Sequence, residues 1–343
     1  MPATNIWCLG LFLAFLAPQS DPLLDGIAHF QRGEYVAAES LLERAVQTRS
    51  EPRARAFLAL ARVANGRCDR AIAELEKQFA TLTDAQLRRL SGLGLAQCYA
   101  SGSRFPDATR VLVELQKLYP SDADVLYETA RVYMKAWNGT VQKMFQETPA
   151  SFRVNQLSGE IFESQGKYAE AVQQFQEAIV KNPKALGLHF RMGRALLMSS
   201  HSVDTLVQAQ REFEAELALN PTDAVAEYEI GQILTTQQKS VEALPHLERA
   251  VRLSGQFPEA LIALAKLKLE AKQNDEAIGL LEGAVHLVPN SEAAHYSLMM
   301  AYRNVGRNED SLRQKAELEK LQKPPEGEFT EFLKKLGDKV PQQ

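Results

Sequence analysis

Apolar residues recur along the chain with the spacing of amphipathic helices. In the segment GKYAEAVQQFQEAIVKNP (166–183), Val172, Phe175, Ile179 and Val180 form a stripe at helical intervals, with polar residues between them. Similar stripes occur along most of the chain and are separated by short segments that contain Gly or Pro. The pattern predicts a succession of short helices, each with one apolar face that packs in a core.

Two columns of small residues set the register of a repeat. The downstream column contains Ala38, Ala71, Ala108, Gln142, Ala171, Ala209, Ala243, Ala277 and Ser311, at intervals of 33, 37, 34, 29, 38, 34, 34 and 34 residues. Twelve residues upstream lies a second column, in which eight of nine members are Gly or Ala: Gly26, Ala59, Ala96, Ala130, Gly159, Gly193, Gly231, Ala265 and Met299. Small residues in both columns allow two helices to approach closely. A Gly at the turn between the helices allows the backbone to reverse, and a Pro ends many of the repeats.

The repeat resembles the tetratricopeptide repeat, a helix–turn–helix of 34 residues. The segments 224–257, 258–291 and 292–325 match that length, and the resemblance covers residues 21–322. It implies an all-α solenoid, a right-handed superhelix of about nine repeats whose concave groove is lined by the first helix of each repeat. Asp25 and Met299 depart from the family pattern, as expected of terminal repeats.

Both ends of the chain differ from the repeats. Residues 1–20 carry no charge and contain an apolar run of 12 residues, Ile6–Ala17, which predicts a signal peptide cleaved between about Ala17 and Ser20. The mature protein is therefore expected to be exported to the periplasm or secreted, with no membrane span. At the other end, residues 323–343 are predicted to form a capping helix and tail, with Phe329, Phe332, Leu333, Leu336 and Val340 on one face. The alternative is a free amphipathic helix that binds a partner.

Composition and motifs argue against several classes of function. Apolar residues make up 45% of the chain, charged residues 24%, and the formal net charge is −4, so the basic excess of a nucleic-acid-binding protein is missing. No nucleophile motif, phosphate-binding loop or dinucleotide fingerprint occurs, and none of the six histidines has metal-ligand spacing. The sequence therefore predicts no catalytic residue, no metal and no cofactor.

Two cysteines remain after the predicted signal peptide. Cys68 begins the second helix of the second repeat, and Cys98 lies near the end of the first helix of the third. Because these helices run antiparallel in a tetratricopeptide stack, a disulfide is one alternative in an exported protein. Two buried free thiols that pack as small apolar groups are the other.

The resemblance also implies where a partner binds. In the family, positions 2, 5, 9, 12 and 13 of each first helix face the groove. Carried onto this chain, these and adjacent positions give Tyr127, Arg131, Met134, Lys135, Arg153, Gln156, Glu160, Phe190, Arg194, Tyr228, Gln232, Tyr296, Met300, Arg303 and Asn304. Aromatic and arginine side chains on one face are typical of binding hot spots. Alternatively, these long side chains only cover the helix surface.

One segment, residues 134–151, breaks the pattern. The interval that follows Gln142 is 29 residues, and Pro149 arrives early. We expect a turn and a shortened second helix here, which would divide the repeats into arms at 21–133 and 152–322. In this interpretation Trp137 fills the place of the missing helix surface, and Trp137, Gln142 and Pro149 mark a bend.

Three functions remain open. The first is a non-enzymatic scaffold that binds protein or peptide partners along its groove. The second is an adaptor subunit of a secretion or assembly machine in the cell envelope. The third is an enzyme-associated subunit that positions a substrate or glycan. The fold alone does not choose among them.

Overall fold

A computed structural model describes residues 21–322, and within this range the chain forms seventeen α-helices, one 3-10 turn and no strand. The predicted signal peptide (1–20) and capping helix (323–343) lie outside the described residues. The chain divides between Glu147 and Thr148 into two compact units. We call the described part of the first unit 1 (21–147) and that of the second unit 2 (148–322).

Unit 1 contains three helix pairs and one long helix. The pairs are α1 (Pro22–Gln31) with α2 (Tyr35–Thr48), α3 (Pro52–Ala64) with α4 (Ile72–Thr81), and α5 (Ala85–Ser101) with α6 (Phe105–Leu118). The long helix is α7 (Ala123–Glu147).

Unit 2 contains five helix pairs. They are α8 (Phe152–Ser164) with α9 (Tyr168–Lys181), α10 (Leu188–Ser199) with α11 (Val203–Leu219), α12 (Ala224–Thr236) with α13 (Ser240–Leu253), α14 (Pro258–Glu270) with α15 (Asn274–Leu287), and α16 (Glu292–Asn304) with α17 (Asn308–Leu321). The predicted all-α solenoid of helix–turn–helix repeats is confirmed, with eight complete pairs where nine were expected.

The two helices of a pair are joined through a residue with left-handed backbone conformation. Seven such residues lie two positions after the end of a first helix: Gly33, Gly66, Ser103, Gly166, Gln238, Lys272 and Gly306. Each also lies seven residues after the upstream small residue of its repeat. The sixth repeat turns instead through Ser200, whose backbone is extended.

The fourth repeat has no such turn, and the prediction of a turn and a second helix within 134–151 is wrong. Trp137 occupies the register position of the left-handed residues, seven after Ala130. Trp137 does not adopt that conformation, and the helix continues through Trp137 and Gln142 to Glu147. Pro149 follows two residues after the helix ends. Trp137 is half exposed and does not fill a gap.

Close contact at the small residues holds each pair together. A Cβ atom added to Gly159 would lie 2.6 Å from the ring of Phe175, and one added to Gly231 would lie 2.5 Å from Leu247. These distances leave no room for a methyl group, since Phe175 and Leu247 are fully buried. Ala130 is exposed, because its repeat has no second helix to cover it.

Polar side chains add a second link between paired helices. His189 Nδ1 lies 2.7 Å from Glu212 Oε2, and His295 Nδ1 lies 2.7 Å from Gln314 Oε1. Buried polar groups need such partners to offset their loss of hydration. These two histidines therefore join helices of the scaffold. No group of three or more potential metal ligands occurs among residues 21–322.

Cys68 and Cys98 form a disulfide in unit 1. Cys68 begins the 3-10 turn Cys68–Arg70, and Cys98 lies in α5. Their Cα atoms are 5.2 Å apart, and the bridge closes a separation of 30 residues. It joins the second repeat to the third.

Candidate functional site

The residues assigned to the groove lie on five helices. Those on α7 belong to unit 1, and those on α8, α10, α12 and α16 belong to unit 2. In chain order they are Tyr127, Arg131, Met134 and Lys135 on α7; Arg153, Gln156 and Glu160 on α8; Phe190 and Arg194 on α10; Tyr228 and Gln232 on α12; and Tyr296, Met300, Arg303 and Asn304 on α16.

The groove residues of α8 form a chain of hydrogen bonds along one side of the helix. Arg153 Nη1 donates to Gln156 Oε1 at 2.6 Å, and Gln156 Nε2 donates to Glu160 Oε1 at 3.1 Å. The residues are three and four positions apart, which places them on one side of a helix. The Arg153 guanidinium also lies over the ring of Phe152, 4.6 Å from its centroid. These contacts hold the polar side chains in defined positions.

Arg191 connects α10 to α8. Its guanidinium lies 3.3 Å from Glu160 Oε1 and 3.5 Å from Glu163 Oε2. An open cavity of about 400 Å³ lies beside this ion pair, lined by Glu160, Glu163, Ser164, Tyr168, Arg191, Arg194 and Met198. The cavity therefore carries both signs of charge on neighbouring first helices.

Arg194, one turn beyond Arg191, makes no hydrogen bond or ion pair within residues 21–322. Its positive charge acts on the Glu229 carboxyl of α12. Burial raises the pKa of the Glu229 carboxyl, and the positive charge of Arg194 partly opposes this rise. Arg194 thus presents a guanidinium whose hydrogen-bond donors are available to a ligand.

An aromatic surface follows on α12. The Tyr228 ring packs against Phe257 with centroids 4.9 Å apart, and Gln232 Nε2 donates to the Tyr228 hydroxyl at 2.7 Å. Burial raises the pKa of Tyr228. Phe190 differs, because its ring packs on buried Phe213 and belongs to the edge of the core.

The structure brings together the charged and aromatic residues of α8, α10 and α12. We call this surface the first-helix face of unit 2 and define it by Arg153, Gln156, Glu160, Glu163, Arg191, Arg194, Tyr228, Glu229 and Gln232. No hydrogen bond or ion pair in the described part of the chain links it to the groove residues of α16. There, Tyr296 is exposed and Asn304 Nδ2 donates to Asn274 Oδ1 at 3.4 Å.

Two residues of this face fall outside the five groove positions of the family. Arg191 and Glu229 each follow a residue at position 5, Phe190 and Tyr228 respectively. Arg191 reaches Glu160 and Glu163 on the neighbouring first helix, and the Glu229 carboxyl is influenced by the charge of Arg194 on α10. Charge at these positions is visible in the sequence, but which helix each side chain reaches depends on packing.

On α7 the groove residues are exposed. Arg131 Nε lies 3.5 Å from Glu128 Oε2 on the same helix. Tyr127 and Met134 present their side chains to solvent. No helix among residues 21–322 combines the length and hydropathy of a membrane span.

Comparison with known sequences agrees with the register of the repeats. Tetratricopeptide repeat profiles match residues 23–85, 157–200 and 234–302. The chain belongs to the tetratricopeptide repeat family. Proteins of this family bind protein or peptide partners, and the fold is that of a protein-interaction scaffold.

Solved structures show similar helical repeats at low sequence identity. A MamA crystal structure has 18% identity and a TM-score of 0.44, with 48% of this chain and 94% of that chain aligned. MamA 41-end from Desulfovibrio magneticus RS-1 has 19% identity and a TM-score of 0.46, with 51% of this chain and 97% of that chain aligned. YrrB, described as a TPR protein with an unusual peptide-binding site, has 19% identity and a TM-score of 0.45, with 57% of this chain and 97% of that chain aligned. A search of curated proteins finds no match.

Proposed function

We propose that the protein is a non-enzymatic scaffold that binds an extended segment of a protein partner along the first-helix face of unit 2. The observation that carries this proposal is Arg194, whose guanidinium has no hydrogen-bond partner in the described chain and lies beside a cavity that also carries Arg191. A carboxylate of the partner would receive two parallel hydrogen bonds from Arg194. The aromatic surface at Tyr228 would take an apolar side chain of the same segment.

The charges on this face also favour particular side chains in the bound segment. Arg194 would take an acidic residue of the partner. Glu160 and Glu163 share one cation, Arg191, so these three side chains together carry one net negative charge. A segment that carries an acidic residue and a nearby apolar residue fits the surface from α10 to α12.

Photocrosslinking with matched charge reversals tests the proposal. A photoreactive amino acid at Tyr228 should capture a partner in the native cell fraction, whereas one at Val241, exposed on the second helix α13, should not. Arg153→Glu and Arg194→Glu should each abolish capture. Arg211→Glu makes the same charge change on α11, at an exposed residue, and should leave capture intact.

Unchanged capture by Arg194→Glu, in a protein with wild-type unfolding behaviour, would exclude this face. Docking as an adaptor through another surface would then be favoured. Arg131→Glu provides a further comparison in unit 1, because Arg131 is exposed on α7.

We further propose that the protein acts outside the cytoplasm. The apolar run Ile6–Ala17 and the Cys68–Cys98 disulfide support export, because disulfides persist in oxidising compartments. Mass spectrometry of the protein purified from fractionated cells should find a chain that begins near residue 21 in the exported fraction. A chain that retains residues 1–20 and is found in the cytoplasm would contradict this.

A further inference from the structure

Helix α7 presents a broad apolar face. Viewed along its axis, a sector about 120° wide contains Ala123, Leu126, Tyr127, Ala130, Tyr133, Met134, Trp137, Val141 and Phe145, without a charged residue. Tyr127 is 66% exposed, Met134 60%, Trp137 50% and Leu126 46%. The buried side chains of α7, Val125, Glu128, Thr129 and Val132, lie on a different side.

Helix α17, the last described helix of unit 2, shows what a solvent-facing helix of this chain looks like. It has one large exposed apolar side chain, Leu312, and its other exposed residues are polar or small. Solvent-facing ends of repeat arrays are normally polar. An apolar face as extended as that of α7 marks an interaction surface.

The other repeats show which shape fits this face. In each of the eight pairs, the first helix packs on a second helix. In the four pairs whose upstream small residue is glycine (Gly26, Gly159, Gly193 and Gly231), a Leu or Phe of the second helix packs over that glycine. In α2, α9, α13 and α15 this helix carries the sequence Ala-x-x-x-Leu/Phe-x-x-Ala, and these three positions are buried throughout, as in Ala277, Leu281 and Ala284. Ala130 is the corresponding small residue of α7 and is uncovered.

The residue four positions before the upstream small residue indicates more closely which second helix would fit α7. In five other repeats it is polar: Arg55, Asn155, His189, Glu227 and His295, each bonded to the second helix. In α7 it is Leu126, and in α14 it is Leu261. The helix that fits α7 therefore resembles α15, the partner of α14.

We propose that α7 binds an amphipathic helix of a partner protein, which carries Ala-x-x-x-Leu/Phe-x-x-Ala and occupies the place of the second helix that the fourth repeat lacks. The Leu or Phe packs over Ala130, and the flanking turns cover Leu126, Tyr133 and Trp137. Residues 323–343 and α7 itself do not contain this motif, so the tail and a second copy of α7 match the surface less well than a partner helix, and the test below distinguishes the three. This inference does not rest on the proposed peptide binding in unit 2.

Trp137 provides a reporter at the surface itself. The chain has two tryptophans, Trp7 and Trp137. In the full chain carrying Trp7→Phe, emission therefore comes from Trp137 alone and should shift to shorter wavelength when a helix covers it. The probe is a peptide with the α15 sequence, residues 274–287, made helical by Gly279→Lys and a lactam between this lysine and Asp275. Both linked positions are exposed in α15, and the link offsets the low helicity of a free 14-residue peptide.

We expect the peptide to bind and to shift the Trp137 emission. Ala130→Arg and Tyr133→Asp should each weaken binding by about tenfold or more, because they obstruct or charge the apolar contact. Leu281→Asp in the peptide should have the same effect. Val241→Asp, at an exposed apolar residue of α13, and Arg211→Glu, on α11, should not change binding.

Four results would overturn the proposal. The first is failure of the lactam peptide to bind, and the second is binding that Ala130→Arg leaves unchanged. The third is a dimer, observed by sedimentation, that Tyr133→Asp dissociates. The fourth is a Trp137 emission in the free protein that moves to longer wavelength when the chain is shortened to end at Gln322. The third result would identify a second copy as the occupant, and the fourth the tail of the same chain. Circular dichroism of Ala130→Arg and Tyr133→Asp would check that each is folded.

Discussion

Glu229 is a carboxylate that the fold withdraws from water, and Arg194 is the cation that opposes the effect. Burial is the stronger influence and raises the pKa of Glu229. A carboxyl whose pKa is higher in the folded than in the unfolded state binds protons more tightly when folded. Ionised Glu229 therefore reduces stability at neutral pH, and the reduction disappears as the pH falls below the ordinary pKa of a glutamate.

Glu229→Gln should therefore raise the free energy of unfolding at neutral pH, and the gain should shrink as the pH is lowered to about 4. Arg194→Gln should enlarge the neutral-pH gain, because it removes the charge that favours ionised Glu229. Urea unfolding of the four proteins of this double-mutant cycle at several pH values measures both effects. A gain that increases on acidification would contradict the assignment.

Whether a repeat forms two helices or one depends on a single turn position. Seven repeats place a left-handed residue there, and four of these residues are glycine. Asn138–Gly139 has the composition of a turn, yet it lies inside α7, one position past the place where the register needs the turn. Turns could be predicted from the sequence where Gly occupies the turn position of the repeat. The prediction of a turn failed in the fourth repeat, where the Asn–Gly pair lies one position beyond the turn position.

Gly139→Ala tests the continuity of α7. Nothing lies within 4 Å of a Cβ added at Gly139, and its backbone is helical, so alanine should stabilise unit 1 by about 0.5–1 kcal/mol. Gly166→Ala is the matched control, because Gly166 has a φ of +72° and no close neighbour. Alanine there should destabilise by about 1–2 kcal/mol. Loss of stability in Gly139→Ala, measured by urea unfolding, would favour a turn at 138–139.

The disulfide restrains the chain between the second and third repeats. Replacing both cysteines, as Cys68→Ser with Cys98→Ser, should lower the free energy of unfolding by about 3–4 kcal/mol, because a loop of about 30 residues is no longer closed in the unfolded state. Reductant should destabilise the wild type by a similar amount and leave the double variant unaffected. Equal sensitivity of the two proteins to reductant would show that Cys68 and Cys98 do not form the bond.

Each repeat in a unit packs mainly on its neighbours in the chain, as in other solenoids. This explains why so much of the fold could be predicted, since the columns of small residues and the apolar stripes specify how neighbouring helices pair. The charges of the first-helix face were less predictable. Arg191 reaches Glu160 on the previous first helix, and that contact depends on how neighbouring repeats are rotated, which no single repeat encodes.

Because each repeat packs mainly on its neighbours, a destabilising substitution should affect only the helices near it. Gly159→Ala places a methyl group against Phe175 and should destabilise unit 2 by about 1–3 kcal/mol. Hydrogen exchange should accelerate in α8, α9 and α10, and α16 and α17 should keep wild-type protection. Gly279→Ala, an exposed site with nothing within 4 Å, is the control and should slow exchange in α15 or leave it unchanged. Uniform loss of protection across unit 2 would mean that the repeats unfold as one block.

The length of α7 links binding to ordering. All four buried residues of this helix lie between Val125 and Val132, and none of residues 133–147 is buried. A helical stretch of about fifteen residues without buried side chains is close to its melting limit in water. A partner helix on this surface would supply the missing burial, so it would order the second half of α7 as it binds. Its affinity would then depend on helix propensity at exposed positions such as Gln142 and Lys143, which lie outside the apolar face of α7.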